Sequence, residues 1–238
     1  MPGRRRSAGA PAGRLDDGTL ATAWQVVSLL LDYPTEELLY RRPLLESAVA
    51  PLPAPVADPL RRFLAGVDST SLGELQREYV ETFDITRRCC LYLTYFAHGD
   101  TRKRGLALVQ VKQAYRRAGA ELDTDELPDH LGVVLEFGAT ADLEVAWRLL
   151  QDHRAGVEVL RIALADKGSR WHDVVCALVA TLPALRGDDE EQLAALVAAG
   201  PPSEDVGLDT QPYALDPRLN PRPTESTDLG PTIPVGAP

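Results

Sequence analysis

Cysteine is scarce in this chain, and so is histidine, which removes most of the material for reactive and metal-binding sites. The three thiols fall at positions 89, 90 and 176, an adjacent pair and a remote third, which gives neither a disulfide framework nor paired metal-ligand spacing. The four histidines, at 98, 130, 153 and 172, are equally scattered, so no metal site is expected. A reducing compartment suits such a chain. No segment approaches the roughly 18 continuous apolar residues of a membrane-spanning helix; the longest apolar run, Val26 to Leu31, is broken by Ser28. The opening Arg4-Arg5-Arg6 leads into a polar, Ala/Gly/Pro-rich stretch from Ser7 to Thr19, where an export signal needs an apolar core. These features predict a soluble, cytoplasmic protein whose residues 1–17 form a disordered arm.

Excess positive charge is also missing. The net charge is −10, and from Gly187 onward ten Asp or Glu face two Arg, so that segment carries −8 and the stretch from Met1 to Arg186 only −2. Polyanion binders cluster Lys and Arg, so nucleic acid is not an expected partner. There is no Gly-x-Ser-x-Gly elbow, no Gly-x-x-x-x-Gly-Lys phosphate loop, no Gly-x-Gly-x-x-Gly and no His-Glu-x-x-His, the arrangements that would mark a nucleophile, a nucleotide or a catalytic zinc. No catalytic residue and no cofactor is therefore assigned, and an enzyme is not expected. Cys89 and Cys90 read as small packing residues, although Arg87 and Arg88 beside them would favour a thiolate.

What the chain does have is apolar residues, 45% of the total, at helical spacing. Trp24, Val27 and Leu31 fall at i, i+3, i+7 after a capping Thr19 and before Tyr33-Pro34. A second helix follows from Thr35, prolines 51, 53, 55 and 59 mark a loop, and Leu60, Phe63 and Leu64 fit a short third helix. Ser71-Leu72-Gly73-Glu74 is a capping box, and Leu72, Leu75, Tyr79 and Phe83 follow it until Asp84-Ile85-Thr86. A helix beginning near Gly99-Asp100-Thr101 and running to Ala118 should end at Gly119, with Leu108, Val111 and Tyr115 inward. Pro128 suits a first helical turn, from which Leu127, Leu131, Val134, Leu135 and Gly138 align. Leu143/Ala146/Trp147/Leu150, Val157/Leu160/Leu164 and Val175/Leu178/Val179/Leu182 repeat the pattern, and an acidic helix spans Asp188 to Ala199. No stretch alternates like a strand. The expected fold is all-α, a single-domain bundle of about eight to ten helices over residues 18–199, with an acidic, proline-rich disordered tail at 200–238.

Polar residues sit beside apolar helix faces between Arg77 and Glu136. Tyr79-Val80-Glu81-Thr82-Phe83-Asp84 mixes aromatic and acidic side chains, and His98-Gly99-Asp100-Thr101-Arg102-Lys103-Arg104-Gly105 places cations at a helix start, against the usual preference. Taken singly, Tyr79 and Phe83 read as core and the cations as a solvated face. Together with Tyr115-Arg116-Arg117-Ala118-Gly119, Glu126-Leu127-Pro128-Asp129-His130-Leu131 and Leu29-Leu30-Leu31-Asp32-Tyr33-Pro34, these segments resemble the NarJ family of nitrate reductase molybdenum cofactor assembly chaperones, within the wider TorD/DmsD group of redox-enzyme maturation proteins. The resemblance covers roughly residues 20–185. Two departures are Tyr92, where the family commonly has a histidine, and Gly132, where a second proline is frequent.

The resemblance implies a TorD/NarJ-like helical bundle that binds the apo catalytic (alpha) subunit of a respiratory nitrate reductase, through its N-terminal segment. It implies that the subunit is kept ready for molybdenum cofactor insertion before membrane docking, by a chaperone that is not a subunit of the finished enzyme. A groove near Tyr79, Phe83, Tyr92 and Leu131 is expected, with Arg104, Asp129 and His130 as polar rim or supporting groups, and the matched motifs add His98 and Glu126 to the partner-binding set. The rival readings are a nucleotide- or cofactor-binding helical protein and a helical transcription regulator, whose only candidate recognition element is Arg102-Lys103-Arg104.

Overall fold

The computed structural model describes residues 14–99, 101–122 and 126–200; the rest of the expected arm and tail lies outside the described residues. Among the described residues there are eleven α-helices: α1 (Asp17–Leu31), α2 (Glu36–Val49), α3 (Ala54–Asp68), α4 (Leu72–Tyr79), α5 (Tyr95–His98), α6 (Arg102–Arg117), α7 (Leu131–Thr140), α8 (Leu143–Asp152), α9 (Arg154–Lys167), α10 (Trp171–Thr181) and α11 (Asp188–Ala199). This is the expected all-α bundle, with the single-turn α5 as the one helix that periodicity does not announce. Among the described residues the only extended pairing is an isolated antiparallel bridge between Tyr92 and His130.

Helix α1 is the axis of the packing, because it is apolar on nearly every side: Leu20, Ala23, Trp24, Val26, Val27, Leu30 and Leu31 are all buried. It lies against α7 and α10, α10 against α3 and α9, and α9 against α11. Two indoles fix this arrangement. Trp24 Nε1 donates to Thr181 Oγ1 at 3.0 Å and Trp171 Nε1 donates to the Leu30 carbonyl at 3.0 Å, which satisfies the one polar atom that a buried tryptophan must place. At Gly138 of α7 an added Cβ would stand 2.6 Å from Ala146 Cβ and 2.7 Å from Trp24 Cε3. Glycine is therefore what lets α1, α7 and α8 approach each other here.

Several local expectations are corrected. Asp16, not Thr19, caps α1, its carboxylate accepting the Thr19 N–H at 3.0 Å and the Thr19 hydroxyl at 2.6 Å. Arg14 to Asp17, expected in the arm, belong to the folded body: the Arg14 guanidinium lies 4.5 Å from the Trp147 ring centre and donates to Glu144 at 2.6 Å. The third helix begins at Ala54 instead of Leu60, because Pro55 occupies the first turn, where a missing N–H costs nothing, and Pro59 is absorbed within the helix. The Ser71–Glu74 capping box forms as expected, with Ser71 Oγ accepting the Glu74 N–H. The helix after it does not stay α-helical. From Val80 to Asp84 the chain widens into a π-turn, with the Ile85 N–H reaching back to the Val80 carbonyl.

Pro128 is likewise not in a helix: α7 starts at Leu131 with His130 at its cap. Leu127, expected on the buried face, is 37% exposed. The cause is the backbone pairing here, where Leu93 N–H donates to the Asp129 carbonyl at 3.0 Å and Leu131 N–H to the Leu91 carbonyl at 2.8 Å, while His130 N–H closes a turn onto the Leu127 carbonyl at 3.0 Å. Gly119 ends α6 as expected, at φ 81°.

Candidate functional site

The bridge between residues 91–93 and 129–131 organises most of the polar residues singled out above. Tyr92 and His130 stand opposite each other with ring centres 5.4 Å apart, edge to face. The Tyr92 hydroxyl donates to Glu126 Oε1 at 2.8 Å, and the Leu127 N–H donates to the same oxygen at 3.0 Å. Burial pushes the Glu126 carboxyl upward, but these two donors and the nearby His130 outweigh it and leave the group below its ordinary range. The same surroundings push the Tyr92 phenol up, burial first and the Glu126 hydrogen bond second.

Asp129 lies beneath this layer, 0% exposed. Its Oδ2 accepts the Thr94 N–H at 3.1 Å and the Thr94 hydroxyl at 2.6 Å, and the Arg104 guanidinium approaches to 4.0 Å. Arg104 also lies 5.1 Å from the Tyr92 ring centre and 5.8 Å from that of Tyr95, close enough for cation–π attraction. Without solvent access, Asp129 acts through the segments that it joins. Tyr115 donates to the Pro128 carbonyl at 2.7 Å, fixing the loop from α6, and Leu131 is buried directly below His130.

Tyr79 and Phe83 form a second cluster. The π-turn brings their rings to 4.7 Å, and each lies 5.5 Å from Trp171. Tyr79 is 8% exposed, and its hydroxyl donates to the Leu31 carbonyl at 3.0 Å; burial drives its phenol upward. Its other neighbour is Tyr33, edge-on at 5.5 Å, so this cluster reaches the surface just past the end of α1. His98, at the end of α5, stands apart from both groups; its backbone carbonyl accepts the Thr101 hydroxyl at 2.8 Å.

A hollow runs along the outer side of α1, where three depressions share Leu29; Glu126, His130 and Tyr33 are on its lining, whereas Tyr79, Phe83, Tyr92, Arg104, Asp129 and Leu131 are not. One, of about 430 Å³, is lined by Leu29, Asp32, Glu126, His130 and Glu136 among others. The next, of about 340 Å³, is apolar and runs between α1, α2 and α7 past Val26, Leu29, Leu44, Leu45 and Ala139. A smaller one leads to Tyr33, Leu38 and Arg41. From Ala21 to Asp32 the hollow follows α1 for about 16 Å, three helical turns. One end is greasy and the other carries three carboxylates. His130 lines the acidic end, and burial lowers its basicity against the pull of Glu126, Asp32 and Asp129.

The groove expected from the sequence centres on Tyr79, Phe83, Tyr92 and Leu131; of the expected partner-binding residues, Glu126 and His130 line this hollow, and Leu29, Asp32, Leu44 and Glu136 are not among those expected. The available signal was Leu29 itself, a large residue on the one side of α1 left open, together with the weakly patterned α2, which buries only Leu45 and Val49 and exposes Leu44 at 68%. No grouping of three or more His, Cys, Asp or Glu suited to a metal occurs among the described residues. Cys89 is buried and its thiol is pushed up to about 11 by burial, with Lys167 opposing; the neighbouring arginines do not activate it.

Residues 50–177 match the model of the nitrate reductase delta subunit family. The nitrate reductase-like protein NarX of Mycobacterium tuberculosis is 37% identical over 158 residues, 66% of this chain, which spans only 24% of that longer protein. The nitrate reductase molybdenum cofactor assembly chaperone NarJ of Escherichia coli is 31% identical over 197 residues, covering 80% of this chain and 79% of NarJ. A crystal structure from Archaeoglobus fulgidus, described as a redox enzyme maturation protein, superimposes with a TM-score of 0.50 at 22% identity, over 74% of this chain and 97% of the other, a likeness of fold. By the span of the family model and the identity to NarJ along most of its length, the chain belongs to the nitrate reductase delta subunit family of NarJ-type chaperones.

Proposed function

We propose that this protein is an assembly chaperone for a respiratory nitrate reductase, and that it holds the N-terminal segment of the apo catalytic subunit as a helix in the hollow beside α1. The observation that carries this reading is the polarity of the hollow. An amphipathic helix places anchors at i, i+3, i+4 and i+7, which match the apolar stretch along Ala21 to Leu29, about two turns long, and cationic residues at the other end would meet Asp32, Glu126 and Glu136. Charge of this kind sets orientation and partner choice more than raw affinity. Occupancy of the hollow would keep the catalytic subunit from its membrane partner until its molybdenum cofactor is in place, after which the chaperone leaves. Release requires a moderate affinity, of about 8–12 kcal/mol, micromolar to nanomolar. NarJ of Escherichia coli carries this assignment in its name, which supports the same assignment here.

The test is a pull-down with tagged full-length chain from cells respiring nitrate, paired with calorimetric titration of a synthetic peptide of the catalytic subunit's N-terminus. Retention of that subunit and saturable peptide binding are expected. Failure of both overturns the reading, and tight binding of nucleotide or free molybdopterin cofactor with no peptide binding replaces it with a cofactor-carrier role.

A further inference from the structure

Helix α6 has no part in the hollow beside α1, yet its composition is unlike that of any other helix in the chain. Between Arg102 and Arg117 it holds six cations and no carboxylate. Only Val111 and Tyr115 of its sixteen residues are buried. At 100° per residue these two and Arg104 turn inward, and the opposite side presents Arg102, Leu106, Val109, Gln113 and Arg117. Leu106 is 68% and Val109 52% exposed, one turn apart at the middle of that side. Arg102, Lys103, Lys112, Arg116 and Arg117 make no ion pair with any described residue.

We propose that α6 is a reversible docking face for an anionic lipid surface, lying parallel to it. Two central aliphatic side chains bracketed by long cationic ones form the interfacial pattern in which the apolar groups enter the headgroup region while Lys and Arg reach the phosphates. The face is a single convex helix rather than a groove, with cations on both flanks and at both ends and no carboxylate among them. That arrangement suits a laterally uniform negative plane better than a partner with a discrete hydrogen-bonding pattern. Depth is limited to two side chains, so the contact is peripheral and salt-sensitive. The chain's net charge is −10, of which −8 lies from Gly187 onward, whereas α6 itself carries +6. The nearest rival occupant is a second copy, whose α11 begins Asp188-Asp189-Glu190-Glu191.

The proposal stands apart from the client reading, and its test contains no client. Full-length protein is co-sedimented with vesicles of phosphatidylcholine alone and of phosphatidylcholine mixed with phosphatidylglycerol. Partitioning about tenfold stronger onto the anionic vesicles is expected, abolished at about 1 M salt, where screening shortens to about 3 Å. Leu106→Asp with Val109→Asp, and separately Lys112→Glu with Arg116→Glu and Arg117→Glu, should each reduce it about tenfold or more while leaving the helical circular dichroism unchanged. Equal partitioning to both vesicle types, or no loss in either variant, overturns the proposal. Sedimentation velocity without lipid supplies the remaining outcome: a dimer dissolved by the same substitutions would give the face to a second copy and overturn lipid docking.

Discussion

His130 packs edge to face against Tyr92 at 5.4 Å across an antiparallel pairing of two short segments in an otherwise helical molecule. The pairing carries His130 to the hollow beside α1, while Asp129, in the turn just before it, is fully buried.

Removing the inward member should be costly. Asp129→Ala leaves the Thr94 N–H buried without its acceptor, a loss of about 2–4 kcal/mol, read as a lowered denaturant midpoint. Thr94→Ala keeps the backbone donor paired and should cost less. Equal and small effects from both would show that the carboxylate does not organise this corner.

Stability should fall with acid through the histidines. Burial lowers the basicity of both His130 and His153, so the unfolded chain takes up protons before the folded one does. Their neutral forms therefore stabilise the fold fully above the ordinary histidine range, and this contribution is lost as pH falls below about 6.5. Thermal melts of His130→Asn with His153→Asn should show a flatter dependence between about pH 7 and pH 5 than the parent; an unchanged slope would contradict this.

Client binding should be separable from stability. Leu29 is half-buried at the junction of the three depressions, and Glu136 is exposed at the acidic end. Leu29→Glu and Glu136→Lys should each weaken a basic amphipathic peptide about tenfold or more, with melting temperatures within a few degrees of the parent. Undiminished titration curves for both would move the client elsewhere.

The close approach at Gly138 gives a prediction of opposite character. Gly138→Ala should destabilise by about 1–3 kcal/mol through overpacking, despite the gain in helix propensity, because the new methyl group meets the Trp24 ring and Ala146. Measured stabilisation would mean that α1 and α7 separate easily.

The helices were legible because their buried faces repeat at 3.6 residues, and Ser71–Glu74 marks its helix start through chemistry that is local to four residues. What escaped depends on contacts distant in sequence. Pro128 reads as a helix start until Leu91 and Leu93 claim the backbone beside it, and the π-turn at 80–84 follows from seating Phe83 on Trp171, far along the chain. Arg14 looks like part of a floppy arm until Glu144 and Trp147 receive it. The hollow itself was half legible: Glu126 and His130 lie in a recognisable motif, whereas Leu29 and Glu136 become neighbours only when α1 and α7 pack.

That packing also divides the hollow into unequal walls. Ser28 Oγ donates to the Gly132 carbonyl at 2.9 Å near one end of the α1–α7 contact, and Trp24 closes on Gly138 at the other, so these two helices are pinned at two separate points. Helix α2 fully buries two side chains, Leu45 and Val49, packs Leu38, Leu39 and Ala48 partly against the core, and carries the exposed Leu44 beside the hollow. A helix received in the hollow, as proposed above, would thus lie between one wall pinned by two specific contacts and one wall held by fewer buried side chains.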